Sequence, residues 1–415
     1  MVYQIIRWWA TLFLRLYFRK TIIHGLEHIP LQGPLIVASN HPSAFLEASI
    51  LGTVLPRPLH YLVRGDMFHP RFKWLFDWTN QIPIYRQKDG ISNLRKNASS
   101  FELTYQKLAA GDAVVIFPEA KTILEKRMRP IQRGTAHLAF GTLPYLKEGE
   151  ELRILPVGVN FTEPRFPGTD VVIRFGPSFV TQQATREDRD AIESFTERLS
   201  EAMSPLIIQV EDEGYDKHYD ALASVYLKCM PSNPNTAGVH DDLRQLSGWI
   251  NQHQEHHQHL HGIHEYIHRL KQHQISDAIY YPDVLRKGRV MLAIMLIFKW
   301  IWLITGGWIW RLSRNIIFSK IKANTFKTPV TVGAAMVLFP LILLILVLTC
   351  LMAGWPAWIP WAWLFLMFSG SVVRPSAPLI WKALRLGPKS KSLFKKEIQG
   401  FTRLIQGILQ PSQKQ

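Results

Sequence analysis

The chain has 415 residues, 47% of them hydrophobic, with 48 Lys and Arg against 32 Asp and Glu, a formal net charge of +16. That length allows two or three units, and a basic balance joined to so much apolar content is unlike an ordinary soluble enzyme and points to a membrane face. Nucleic acid is argued against because the apolar, aromatic-rich runs have no use there and no nucleic-acid motif interleaves with the charges.

Residues 1–20 are apolar and aromatic, with Arg7, Arg15 and Arg19 interrupting. Those arginines break any secretory h-region, and the pattern reads as a helix lying in the membrane plane, or one packed on the protein's own core. From 21 to 210 apolar strand patterns alternate with helical ones. Strands are expected near 34–39, 60–63, 82–85, 113–118, 152–160 and 169–176. Helices are expected near 44–54, 91–110, 134–147 and 186–209. Such alternation predicts an α/β fold, a mostly parallel sheet flanked by helices. Ligands of such sheets sit at the carboxyl ends of the strands.

Four apolar runs end in polar or proline-bearing turns. The first, Pro34–Ala38, leads into Ser39-Asn40-His41-Pro42-Ser43-Ala44-Phe45-Leu46-Glu47, with a histidine and a carboxylate six residues apart. A neutral imidazole takes a hydroxyl proton near pH 7, and a carboxylate beside it fixes the tautomer. The second run is Gln81-Ile82-Pro83-Ile84-Tyr85-Arg86. The third, Ala113-Val114-Val115-Ile116-Phe117-Pro118-Glu119, is followed by the basic series Lys126, Arg127, Arg129 and Arg133, suited to a phosphate. The fourth is Arg153-Ile154-Leu155-Pro156-Val157.

In order and spacing these blocks resemble the glycerolipid acyltransferase family, over roughly residues 20 to 180. The likeness is greatest to its glycerol-3-phosphate and dihydroxyacetone-phosphate acyltransferase branch, in which a membrane region follows the catalytic domain. The resemblance implies that His41 is the general base, that Glu47 stands where the family has aspartate, that Arg86 binds the acceptor phosphate, and that Glu119, with Arg133, shapes the phosphate pocket. Pro156 would hold the fourth strand end near the acyl chain. Glu47 adds a methylene that a small backbone shift must absorb, so aspartate there is expected to be tolerated. Ala120 replaces the block-three glycine, which makes φ > 0 costly at that position.

The implied reaction moves a fatty acyl group from acyl-CoA or acyl-ACP to glycerol 3-phosphate. It needs neither an acyl-enzyme nor a metal or other cofactor. 1-Acylglycerol 3-phosphate is the rival acceptor, and a catalytically weak lipid-binding or scaffold protein is the reading from another class.

Residues 211–289 read as a polar helical connector. Within it His257, His261, His264 and His268 share one helical face. A metal site, a pH-sensitive membrane-facing surface and a plain exposed helix all fit that pattern. Residues 290–310 read as an interfacial or re-entrant element, because Lys299 lies at the centre and Gly306-Gly307 near the end. Residues 311–396 read as a membrane hairpin with basic flanks, spans 331–353 and 357–373 joined at Gly354-Trp355-Pro356, and residues 397–415 as a tail, frayed after Arg403. Basic flanks on both sides place the catalytic domain on the cytoplasmic face, against anionic membrane lipids. Cys229 and Cys350, the only cysteines, give no disulfide framework and fit a reducing compartment.

Overall fold

The computed structural model describes residues 2–65, 71, 73–85, 96–230, 238–254, 257–320, 324–371 and 373–409. Eight strands form one sheet: β1 (Lys20–His24), β2 (Leu35–Ser39), β3 (Leu59–Arg64), β4 (Gln81–Ile84), β5 (Ala113–Ile116), β6 (Arg153–Phe161), β7 (Asp170–Phe175) and β8 (Phe179–Val180). Their order is β1-β7-β6-β2-β5-β3-β4, with β8 beside β6. All pairs are parallel except those of β6 with β7 and with β8. The expected mostly parallel sheet is therefore present, and all six expected strands lie within two residues of observed ones.

Sequence reading missed β1. It is a short edge strand whose pairing with β7, from Lys20 opposite Asp170 to His24 opposite Arg174, is set by residues far along the chain.

Helices α1 (Val2–Tyr17), α2 (Phe45–Val54), α3 (Lys73–Trp78), α4 (Lys96–Ala109), α5 (Gly134–Thr142) and α6 (Arg189–Met203) complete this half. The period-two alternation of the strands divides the core. Leu35, Val37, Val115 and Leu155 face α1 and α2, whereas Ile36, Ala38, Val114 and Ile154 face α4, α5 and α6. Helix α1 buries Ala10, Leu14 and Tyr17 and leaves Val2, Ile5 and Trp8 exposed, so it packs on the protein along one face only.

Beyond residue 211 come α7 (Asp216–Cys229), α8 (Val239–Gln252), α9 (His257–Gln272) and α10 (Pro282–Arg286). They are more than a polar connector, because they enclose a hydrophobic core that also takes in Ile22 of β1 and Val172 of β7. Two late helices complete that core, α15 (Ala377–Arg385) and α16 (Pro388–Leu409). Phe394, Ile398, Phe401 and Ile405 of α16, spaced i, i+4, i+7 and i+11, are all buried. The tail is thus a core helix up to Leu409, with Ile405 buried in the part expected to fray, and the Arg269 Nε bond to Glu397 Oε1 at 2.8 Å ties it down. Its apolar stripe reads clearly only once a partner surface exists.

Between these parts lie α11 (Arg289–Trp302), a π-turn (Leu303–Gly307), α12 (Trp308–Lys320), α13 (Asn324–Met352) and α14 (Trp358–Ser371). Arg289–Ile317 and Val330–Met352 are long and apolar enough to cross a membrane. Residues 290–310 do not turn back on themselves, since α11, the π-turn and α12 run on as one helical stretch. Both ends of that stretch are held on the protein body, Leu292 in the core of the helical unit and Trp310 against Tyr17. Lys299 is accommodated by tertiary contact, its Nζ donating to Val373 O at 2.9 Å and lying over the Trp302 ring. The hairpin is seen as α13 and α14, with Gly354 at φ +64 in its turn. Helix α14 has 14 residues, about 21 Å of helix, which is shorter than the roughly 30 Å hydrocarbon core that the expected second span would cross.

Candidate active site

Strands β2 and β5 are parallel neighbours, so blocks one and three, which follow them, emerge side by side at one sheet edge. His41 lies two residues beyond β2. Glu47 sits in the first turn of α2, where a glutamate can reach back toward a preceding backbone N–H. Its Oε1 accepts from Ser43 N at 3.2 Å and lies 2.6 Å from His41 Nδ1. The sequence-predicted pair is therefore together, and Glu supplies the reach without loss of the contact. The Glu47 side chain is fully buried, and its Oε2 has no hydrogen-bond partner among the described residues. The His41 ring, 18% exposed, stacks on Phe117 with centroids 4.1 Å apart. With Nδ1 facing the carboxylate, Nε2 is the nitrogen left to take a proton.

Two alanines at the site have positive φ. Ala44, between His41 and Glu47, has φ 54 and ψ −79, and Ala120, next to Glu119, has φ 55. The left-handed conformation expected to be costly at 120 is adopted nonetheless. Strain of this kind is held where surrounding contacts over-determine the backbone.

Glu119 ties block one to the loop that follows block three. Its Oε2 accepts from His41 N at 3.2 Å and from Arg129 Nη2 at 2.7 Å, while Oε1 accepts from Arg129 N at 3.3 Å. Both oxygens are engaged by the protein, so this carboxylate braces the His41 backbone and holds the Arg129 side chain in place. Sequence reasoning missed Arg129 as that partner. The signal was a cation ten residues past a buried acid, too distant to assign without the fold.

The basic series is likewise mostly engaged. Lys126 Nζ is 2.8 Å from Asp220 Oδ1 and donates to Thr162 O at 3.0 Å. Arg127 pairs with Glu125 at 3.1 Å and donates to Glu211 O at 2.9 Å. These bonds pin the block-three loop to the helical unit instead of holding a phosphate. Arg133 is exposed at the N-terminal end of α5, and no hydrogen bond or ion pair joins it to His41, Glu47 or Glu119. Arg129 Nη1 is buried without a hydrogen-bond partner among the described residues, a donor available to a substrate oxygen. Arg86 lies outside the described residues. Pro156 sits within β6 opposite Ala38 of β2, one strand away from block one.

A cavity of about 550 Å³ opens beside the block, with Asn40 and Pro42 in its wall. Five carboxylates line it, from Glu125, Glu163, Glu213, Asp216 and Asp220, against Lys126, Arg165 and Lys217. Burial pushes the Asp216 carboxyl up to about 6. A phosphate dianion is repelled by such a net-acidic lining.

In the helical unit His261, His264 and His268 are exposed on α9, and His264 stacks on the buried His218 with centroids 5.9 Å apart. No three metal-ligating side chains come together among the described residues.

The Acyltransferase family model matches residues 20–160. No curated protein matches the chain. Among solved structures, the crystal structure of the 1-acyl-sn-glycerophosphate (LPA) acyltransferase, PlsC, from Thermotoga maritima is similar over 48% of this chain and 78% of that one, at 17% identity and a TM-score of 0.35. The residues that this family model matches hold β1 to β5, most of β6 and the His41–Glu47 pair.

Proposed function

We propose that this protein is a membrane-bound O-acyltransferase that moves a fatty acyl group from acyl-CoA or acyl-ACP to the hydroxyl of glycerol 3-phosphate. The observation that carries this reading is the 2.6 Å contact of His41 Nδ1 with Glu47 at the end of a central strand of the acyltransferase domain. His41 Nε2 takes the acceptor hydroxyl proton as the oxygen attacks the thioester carbonyl. The new C–O bond forms, the C–S bond breaks, and the imidazolium returns the proton to the departing thiolate. Glu47 stabilises the imidazolium between these events. General-base help of this kind supplies about 10²–10⁴-fold, and positioning supplies much of the rest. Arg129 Nη1, Arg133 and Arg86 are the cations for the acceptor phosphate.

A second acceptor, 1-acylglycerol 3-phosphate, is favoured by one observation. Helix α13 packs on α1 and α2, and Val332 shares a core with Leu46 of the catalytic block, so an apolar helix lies next to the site. An acyl chain bound to the acceptor would have apolar surface within reach there.

Membranes containing the protein, given radiolabelled acyl donor and each acceptor separately, test the reading. The wild type should acylate glycerol 3-phosphate, and His41→Ala should lose at least ~100-fold in turnover. Turnover of 1-acylglycerol 3-phosphate alone selects the second acceptor, and no turnover of either, or full turnover by His41→Ala, refutes the mechanism. We place the catalytic domain on the cytoplasmic face, with the α13–α14 turn pointing away from it. With Cys229 and Cys350 replaced, a cysteine at Gly354 should react with an impermeant thiol reagent in sealed cells, and cysteines at Ser319 or Ser390 should not.

A further inference from the structure

Residues 284–396 hold 16 Lys and Arg and no Asp or Glu, so the whole excess of 16 positive charges in the chain lies in this stretch. Over the same stretch Val290, Ile294, Ile297, Ile304, Trp308 and Leu312 form an outward apolar stripe along α11 and α12, with Ile304 74% exposed. Helix α15 packs beside α11, and between α15 and the α11–α12 stretch runs a groove of about 850 Å³. That volume is within the usual range for a small-molecule site.

The groove is asymmetric along its length. Leu296, Trp300, Ile304 and Trp381 give it an apolar wall, and its polar side chains, Arg311 and Asn315, both come from α12. Leu296 and Arg311 are 15 residues apart on one helical stretch, about 22 Å. One leaflet's share of a ~30 Å hydrocarbon core is about 15 Å, so the groove can take an acyl chain with its polar group at the Arg311 end. Arg311 is exposed and makes no hydrogen bond or ion pair with any described residue. Trp300, Trp308 and Trp381, each 44–57% exposed, give the flat amphipathic surfaces that favour the headgroup boundary.

We propose that this groove binds one anionic glycerophospholipid of the bilayer, with an acyl chain along the Leu296–Leu312 wall and the phosphate at Arg311. Charge complementarity selects this occupant. A second copy of the chain would bring the same uncompensated basic surface against itself, and like charges brought together across an interface are costly. The site is separate from the catalytic block and independent of the acceptor's identity.

The test uses full-length protein, delipidated in detergent and titrated with phosphatidylglycerol or phosphatidylcholine, with bound lipids counted by native mass spectrometry. One phosphatidylglycerol should bind about five-fold more tightly than phosphatidylcholine, the ratio expected for one basic side chain at an anionic lipid. Arg311→Gln, a change at an exposed position, should abolish that preference. Leu312→Trp should block the groove and remove the tight site. Inorganic phosphate should not displace the lipid. Equal binding of the two lipids, an unchanged preference in Arg311→Gln, displacement by inorganic phosphate, or a protein dimer in place of the lipid-bound monomer would each overturn the assignment. Should Leu312→Trp fail to fold, the Arg311→Gln comparison decides alone.

Discussion

Shortening Glu47 by one methylene separates two views of the catalytic pair. The family pattern has aspartate at this position, so Glu47→Asp would be harmless if that pattern alone decided. The structure gives the opposite expectation. Glu47 Oε1 is 2.6 Å from His41 Nδ1 and at the same time accepts from Ser43 N at 3.2 Å, from a fixed place in the first turn of α2. Removing one C–C bond retracts the carboxylate by about 1.5 Å. The contact then opens to roughly 4 Å, beyond hydrogen-bond distance. A misplacement of about 1 Å in a catalytic constellation can cost ~10²-fold, so Glu47→Asp should lose about that much turnover. Glu47→Gln keeps the length but removes the charge that stabilises the imidazolium, and should lose ~10²–10⁴-fold. The assay is initial rate of acyl transfer in membranes at matched protein level, with thermal midpoints in detergent as a check on folding. Wild-type rates in both variants would refute the assignment of Glu47. A wild-type rate in Glu47→Asp alone would show that the α2 backbone moves to restore the contact.

Glu119→Ala removes the partner of Arg129, whose side chain is only 15% exposed; leaving such a buried charge unpaired costs about 3–5 kcal/mol, so the thermal midpoint should fall by several degrees while acyl transfer also falls, and an unchanged midpoint would remove Glu119 from its bracing role. Ala120→Gly relieves φ 55 at a residue whose side chain disfavours it; the left-handed penalty of roughly 1–2 kcal/mol, less the 0.5–1 kcal/mol entropic cost of glycine, predicts a midpoint raised slightly at unchanged activity, and a lowered midpoint would contradict it. Burial, with His264 alongside, pushes His218 down to about 4; the unfolded chain therefore takes up this proton first, and the stability it contributes is full above about 6.5 and is lost as pH falls through about 4. His218→Gln should flatten the fall in thermal midpoint between pH 6.5 and 4, and an unaltered pH profile would exclude His218 as its source.

Much of the catalytic half was legible in the sequence because its determinants are local. Parallel strands buried on both faces must be apolar throughout, so β2, β5 and β6 announce themselves as short runs of Val, Ile and Leu. His41 and Glu47 belong to one strand-to-helix turn, and six residues of chain were enough to bring them together.

What the sequence could not decide were contacts between distant segments. Lys126 and Arg127 look identical to phosphate ligands until the fold supplies Asp220 and Glu211 as their partners. A mid-helix lysine at 299 looks incompatible with an apolar helix until Val373 O accepts from it. The helix 388–409 looks like a polar tail until α7 to α10 give its stripe of Phe394, Ile398, Phe401 and Ile405 a surface to bury against. Apolar periodicity is written in the sequence because burial acts on each side chain singly. The pairing of charges is decided only by tertiary structure, since a cation's free energy depends on which acid or carbonyl stands within about 3 Å, and chain distance says nothing about that.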